Sequence, residues 1–169
     1  MEGVTSIVEG IAVDANESKV ESGGTLPRWL PTANRVVRAL SRLGLRLGTI
    51  HVLTVPGRRS GVPRSTPVSP LTVGGRRYII AGLPESDWAR NVRAAGHGGL
   101  ASGRRRTRVT ITEVTDPAQK REVVRAFPVE VPHGVAFFVQ LGLVTAADPD
   151  QFGAIADRVA VFRLSAATD

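Results

Sequence analysis

Leu53-Thr54-Val55-Pro56-Gly57-Arg58-Arg59-Ser60-Gly61-Val62-Pro63-Arg64-Ser65-Thr66-Pro67 decides how this chain is read. Two strand-like runs flank a turn whose glycines let the backbone reverse and let a ligand come close to it. Arg58, Arg59 and Arg64 carry planar guanidinium groups that grip phosphate or carboxylate oxygens through paired N–H donors. Ser60, Ser65 and Thr66 add hydroxyls, and with the amides around Gly61 they compose an anion cradle. Solvated hairpin tips use the same residue types, so the turn alone leaves both readings open.

Downstream, strand-like runs occupy residues 66–73 and 76–82, with Gly74-Gly75 as the hairpin turn between them. Pro67 and Pro70 place the first of these at an edge or a bulge. Upstream, residues 49–55 form a strand. Asp87-Trp88-Ala89-Arg90-Asn91-Val92-Arg93-Ala94-Ala95-Gly96 then reads as a helix capped by Ser86 and stopped by Gly96. A basic strand covers 104–114, and Asp116-Pro117 opens a helix with Gln119 at the capping-box position. Residues 136–143 are an apolar helix or strand, Asp148-Pro149 starts a short helix, and 159–164 closes as a strand. Antiparallel strands interrupted by helices predict a mainly β (α+β) domain, a small barrel with helices against it.

The ends of the chain differ in charge. Residues 1–24 hold Glu2, Glu9, Asp14, Glu17 and Glu21 against Lys19 and finish in Ser22-Gly23-Gly24, the pattern of a disordered acidic tail outside the core. The whole chain carries +7, so the remainder is strongly basic and suited to anionic partners. From Pro31 an amphipathic helix is expected: Val36, Val37, Leu40, Leu43 and Leu47 share one face, and Arg35, Arg38, Arg42 and Arg46 line the other. That stripe suits solvent, a peripheral membrane contact or the covering of an anionic ligand. Residues 25–169 are thus read as one domain with this helix at its start, and 169 residues at 42% apolar content suffice for one core.

Several chemistries are excluded. With no cysteine there is no disulfide framework, thiolate nucleophile or sulfur-ligated metal, so redox work would fall to a cofactor. His51, His97 and His133 are too scattered for a zinc site, and no metal is expected. Gly96-His97-Gly98-Gly99-Leu100-Ala101 satisfies a dinucleotide fingerprint, but a helix precedes it and a basic strand follows, the reverse of the required order. Gly103-Arg104-Arg105-Arg106-Thr107-Arg108 lacks interleaved aromatics, so no specific nucleic-acid partner is expected. No apolar run is long enough to span a bilayer and the N-terminus lacks a basic leader, which points to the cytoplasm.

The hairpin resembles the deazaflavin-dependent nitroreductase family, whose members read roughly Leu-Thr-Thr-x-Gly-Arg-(Lys/Arg)-(Ser/Thr)-Gly-x-Pro-Arg-x-x-Pro. The helix at Trp88 and Asn91 resembles that family's Trp-x-x-Asn-Leu-x-Ala. The resemblance implies the split β-barrel shared with FMN-binding, pyridoxamine-phosphate-oxidase-like proteins. It implies coenzyme F(420) as cofactor, with FMN the alternative, and hydride transfer to a nitroaromatic, quinone or activated alkene. On it, Arg58, Arg59, Ser60, Gly61, Arg64 and Thr66 hold phosphate and tail carboxylates, Trp88 packs beside the ring system or in the core, and Asn91 holds local backbone or cofactor polar groups. It names no catalytic side chain. An apolar pocket from Phe137, Phe138, Leu141 and the N-terminal helix would take the acceptor, in a monomer or homodimer. A basic anion-binding module without catalysis is the third reading.

Overall fold

The structure, a computed structural model, describes residues 50–167. The acidic tail and the amphipathic helix expected near its end lie outside the described residues. Seven strands follow: β1 (His51–Pro56), β2 (Pro63–Val68), β3 (Leu71–Val73), β4 (Arg76–Ala81), β5 (His97–Ser102), β6 (Arg105–Glu113) and β7 (Ala160–Ala166). Four helices are interspersed, α1 (Asp87–Ala95), α2 (Pro117–Glu130), α3 (Val135–Gln140) and α4 (Pro149–Ala154), with 3-10 turns at Pro132–Gly134 and Ala156–Arg158.

All seven strands form one sheet in the order β2-β1-β5-β6-β7-β4-β3, with antiparallel neighbours. Its two edge strands, β2 and β3, are joined by Ser69 and Pro70 alone. Laid flat, six interstrand spacings would separate those edges by about 29 Å. The three Cα steps from Val68 to Leu71 reach at most about 11 Å. The sheet is therefore curled nearly shut. A contact across the curl agrees: Arg77 on β4 and His51 on β1, with three strands between them in the sheet, approach to 3.3 Å. This is the split β-barrel. The run expected as one strand over 66–73 is broken at Pro70 into the sheet's opposite edges, because proline supplies no ladder donor.

Alternation along the strands separates two cores. Leu53, Val55, Ile79, Leu100, Val109, Ile111, Phe162 and Leu164 fill the barrel. Tyr78 and Val161 point to the other face, where α2, α3 and α4 bring Val123, Val124, Phe127, Phe138 and Phe152. There Phe127 stacks on Phe152 at 5.6 Å between ring centroids and meets Phe138 at 4.9 Å. Asp116 caps α2 by accepting from the Gln119 amide at 2.8 Å. The Gln119 side chain reaches the Tyr78 hydroxyl instead of closing the capping box.

Two local expectations change. The Gly-rich stretch after α1 is itself a strand, β5, and its glycine is a packing requirement: a Cβ on Gly98 would lie 2.7 Å from the Thr54 carbonyl oxygen. Ser86 occupies the N-cap of α1 with extended backbone, yet its hydroxyl makes no capping bond and is buried without a partner among the described residues. Gly96 ends α1 as expected, in the left-handed conformation at φ 67°.

Candidate cofactor site

The hairpin between β1 and β2 is closed by two backbone bonds, Gly57 N–H to Val62 O at 2.9 Å and Gly61 N–H to Gly57 O at 2.8 Å. Both glycines are needed. A Cβ on Gly57 would sit 3.0 Å from the Val62 oxygen, and Gly61 has φ 68°, which L side chains rarely adopt. The Ser60 hydroxyl accepts from the Val62 amide at 3.3 Å, leaving the Arg59 and Ser60 amides outside the turn's own hydrogen bonds.

One arginine faces inward. Asn91 Oδ1 accepts from both the main-chain N–H and the Nη1 of Arg58, each at 3.1 Å, while Arg58 Nη2 donates to Asp87 at 2.8 Å. Asn91 is buried. The hydrogen bond and the charge of Arg58 hold the Asp87 carboxyl below its ordinary pKa. Arg58, expected from the sequence as a ligand donor, thus fastens the hairpin to the first two turns of α1, and Asn91 serves local backbone. Asp87 was not singled out as a site residue, although it directly precedes Trp88.

The remaining sequence-predicted residues divide by depth. Arg59, Ser60 and Gly61 are exposed on the turn, and Arg64 and Thr66 are half-buried on β2. Ser65 is buried, its hydroxyl 2.8 Å from that of Thr54. Trp88 packs against the barrel core, its ring centroid 6.0 Å from that of Phe162. Arg93, one turn beyond, makes a two-pronged ion pair with Glu113 at 2.7 and 2.9 Å and donates to Pro84 O. This pairing keeps Glu113 ionised below its ordinary range, the hydrogen bond being the larger cause. It ties the 83–86 loop and α1 to β6.

Of the expected pocket residues, Phe138 belongs to the helical core, whereas Phe137 and Leu141 are half-buried against the loop. A Cβ on Gly82 would meet both of them at 3.0 Å. With Leu83 half exposed beside it, this leaves an apolar wall at the C-terminal end of β4. That is also the barrel end that carries the hairpin, because β1 and β4 run parallel through the sheet.

The donor set fits an anionic, phosphate-bearing cofactor. Residues 50–84 contain no Asp or Glu, and the exposed side of the turn offers a guanidinium, a hydroxyl and two amides. The orphaned Ser86 hydroxyl, next to Asp87, is a polar atom of the kind a ligand satisfies. Among the described residues no group of His, Asp and Glu is placed to hold a metal ion, and no helix is long and apolar enough to cross a membrane.

Residues 29–134 match the family model of the F420H(2)-dependent quinone reductases. The chain belongs to that family. Its cofactor is accordingly the deazaflavin coenzyme F(420) and its reaction class is oxidoreduction. No curated protein matches. Among solved structures, a conserved hypothetical protein of Mycobacterium tuberculosis is 13% identical with a TM-score of 0.51, over 89% of this chain and 87% of that one. It shows the shared fold. An F420-H2 dependent reductase is 17% identical over 69% of this chain and 94% of that chain, at TM-score 0.47. A pyridoxinephosphate oxidase family protein of Clostridium acetobutylicum is 14% identical over 82% and 84%, at 0.43.

Proposed function

We propose that this F(420)-dependent reductase passes hydride to an electron-poor small molecule, with quinones, nitroaromatics and activated alkenes as the acceptor class, and holds its cofactor at the β1–β2 hairpin. The observation that carries this reading is the division of labour in the turn. Arg58 is spent on Asn91 and Asp87, so the turn is rigid before any ligand arrives. Arg59, Ser60 and the neighbouring amides then meet the phosphate and tail carboxylates without reorganisation, with Arg64 and Thr66 flanking them on β2. When bound, the reduced deazaflavin supplies the hydride.

The protein's remaining part is orientation and exclusion of water. Leu83, Phe137 and Leu141 around Gly82 offer an apolar surface for a flat acceptor. Trp88 stiffens the α1 side of the site through Phe162. The arginine stripe at Arg35, Arg38, Arg42 and Arg46 remains a proposal for peripheral membrane contact, as does the cytoplasm as compartment. The monomer or homodimer state is likewise part of this reading.

Arg59→Gln tests the assignment. Its side chain is exposed, so the melting temperature should stay at the wild-type value while coenzyme affinity falls about tenfold, the equivalent of about 1.4 kcal/mol. Unchanged affinity in a fluorescence titration would remove the hairpin from the site.

A further inference from the structure

The outward face of the sheet that carries Tyr78 and Val161 under the helices continues beyond them. On β4 and β7 the next outward positions are Arg76, Arg163 and Ser165, since Tyr78 pairs with Arg163 in the antiparallel register. Here the sheet leaves a concavity of about 310 Å³ lined by Gly75, Arg76, Arg77, Arg163, Leu164 and Ser165. Three of those six residues are arginine and none is acidic. Like charges brought together across neighbouring strands repel, and the nearest acidic neighbours of Arg163, Glu113 and Asp116, line a separate concavity on its far side without pairing with it. Arg76 and Arg163 have no hydrogen-bond or ion-pair partner among the described residues. Arg77 meets His51 at 3.3 Å, where the imidazole Nε2 accepts only in its neutral form.

By contrast, three arginines at the opposite barrel end are matched by carboxylates, Arg58 by Asp87, Arg90 by Glu85 and Arg93 by Glu113. The turn beside the concavity is open ground. Gly74 and Gly75 have φ 56° and 74°, and an added Cβ would meet no atom within 4 Å at either position. β4 is six residues long, so this basin is about 20 Å from the hairpin end of the barrel.

We propose that this basin is a second anion site, separate from the cofactor hairpin, which takes a phosphate group through Arg76 and Arg163 with Ser165 as hydroxyl donor. A diagonal pair of guanidiniums on adjacent strands can engage two oxyanion faces at once, so a diphosphate is the better ligand than a monophosphate. The phosphate can belong to a soluble phosphorylated molecule or to a phospholipid headgroup. The recognition chemistry is the same in both.

The test is calorimetric titration of the full chain with inorganic pyrophosphate, paired with sedimentation on phosphatidylglycerol vesicles. Arg76→Gln/Arg163→Gln should weaken pyrophosphate binding at this site about tenfold, and more steeply at low than at high salt. Its coenzyme affinity and melting temperature should match the wild type. Arg59→Gln should lower coenzyme affinity and keep the pyrophosphate binding that the double variant removes, which separates failure of this proposal from failure of the hairpin reading. Pyrophosphate binding lost in the double variant assigns a soluble ligand. Vesicle binding lost in it, without pyrophosphate binding, assigns the headgroup. The proposal is overturned if wild type binds neither probe at this site, or if the double variant binds both as wild type does.

Discussion

Replacing Asn91 by alanine should damage both the fold and the site, because one oxygen does two jobs there. Asn91 Oδ1 accepts the Arg58 main-chain N–H and its Nη1, each at 3.1 Å, from a position that is 6% exposed. Removing the acceptor leaves a main-chain donor unpaired in a part-buried place, at a cost of about 1–3 kcal/mol. For a chain of this size each kcal/mol lowers the melting temperature by about 2–4 °C, so a loss of about 2–12 °C is expected in a calorimetric melt. The guanidinium keeps only Asp87, which is 84% exposed, and the turn loses its fixed geometry. Coenzyme affinity should therefore fall as well. Arg59→Gln should lower affinity without lowering the melt, so the two variants separate scaffold from ligand donor. An Asn91→Ala protein that melts and binds coenzyme like wild type would refute the claim that this clamp builds the hairpin.

Acidification probes the Arg93–Glu113 tie. Glu113 has its carboxyl held below the ordinary 4.5 by the Arg93 hydrogen bond, so the stability it lends is complete above that value and is lost as pH falls through the depressed one. Urea midpoints measured from pH 6 downward should drop on the acid side, and Glu113→Gln should flatten that drop; parallel curves for the two proteins would be the contrary result. Gly98→Ala forces a methyl to 2.7 Å from the Thr54 carbonyl oxygen and 2.9 Å from Val55 Cγ1, and overpacking of this kind costs about 1–3 kcal/mol. A denaturant midpoint equal to wild type would show that β1 and β5 are not packed that closely.

Much of this was legible where local chemistry and tertiary structure agree. Gly57 and Gly61 mark the turn because its backbone permits little else, and Asp116-Pro117 marks the start of α2 for the same kind of reason. The strand β5 was hidden because glycine is poor in strands by propensity, and the need for Gly98 arises only when Thr54 is brought against it from a distant part of the chain. The break at Pro70 was visible as an edge signal, but not that it sends β2 and β3 to opposite sides of the sheet, which depends on pairings as distant in sequence as Arg77 with Leu164. In the site, residue types announced an anion cradle without saying which arginine would face out. Arg58 and Arg59 are neighbours in sequence, and only the position of α1, with Asn91 and Asp87 on it, separates the arginine that clamps the turn from the one left exposed on it.

The central claim, that this barrel is built for a deazaflavin with an anionic tail, is tested most directly by equilibrium titration of the wild-type protein with oxidised coenzyme F(420) and with FMN under the same salt conditions. The account predicts tighter binding of F(420), by about tenfold or more, because its tail carboxylates add charge-assisted contacts that the FMN phosphate alone does not supply. FMN binding as tight as F(420), or tighter, would contradict it.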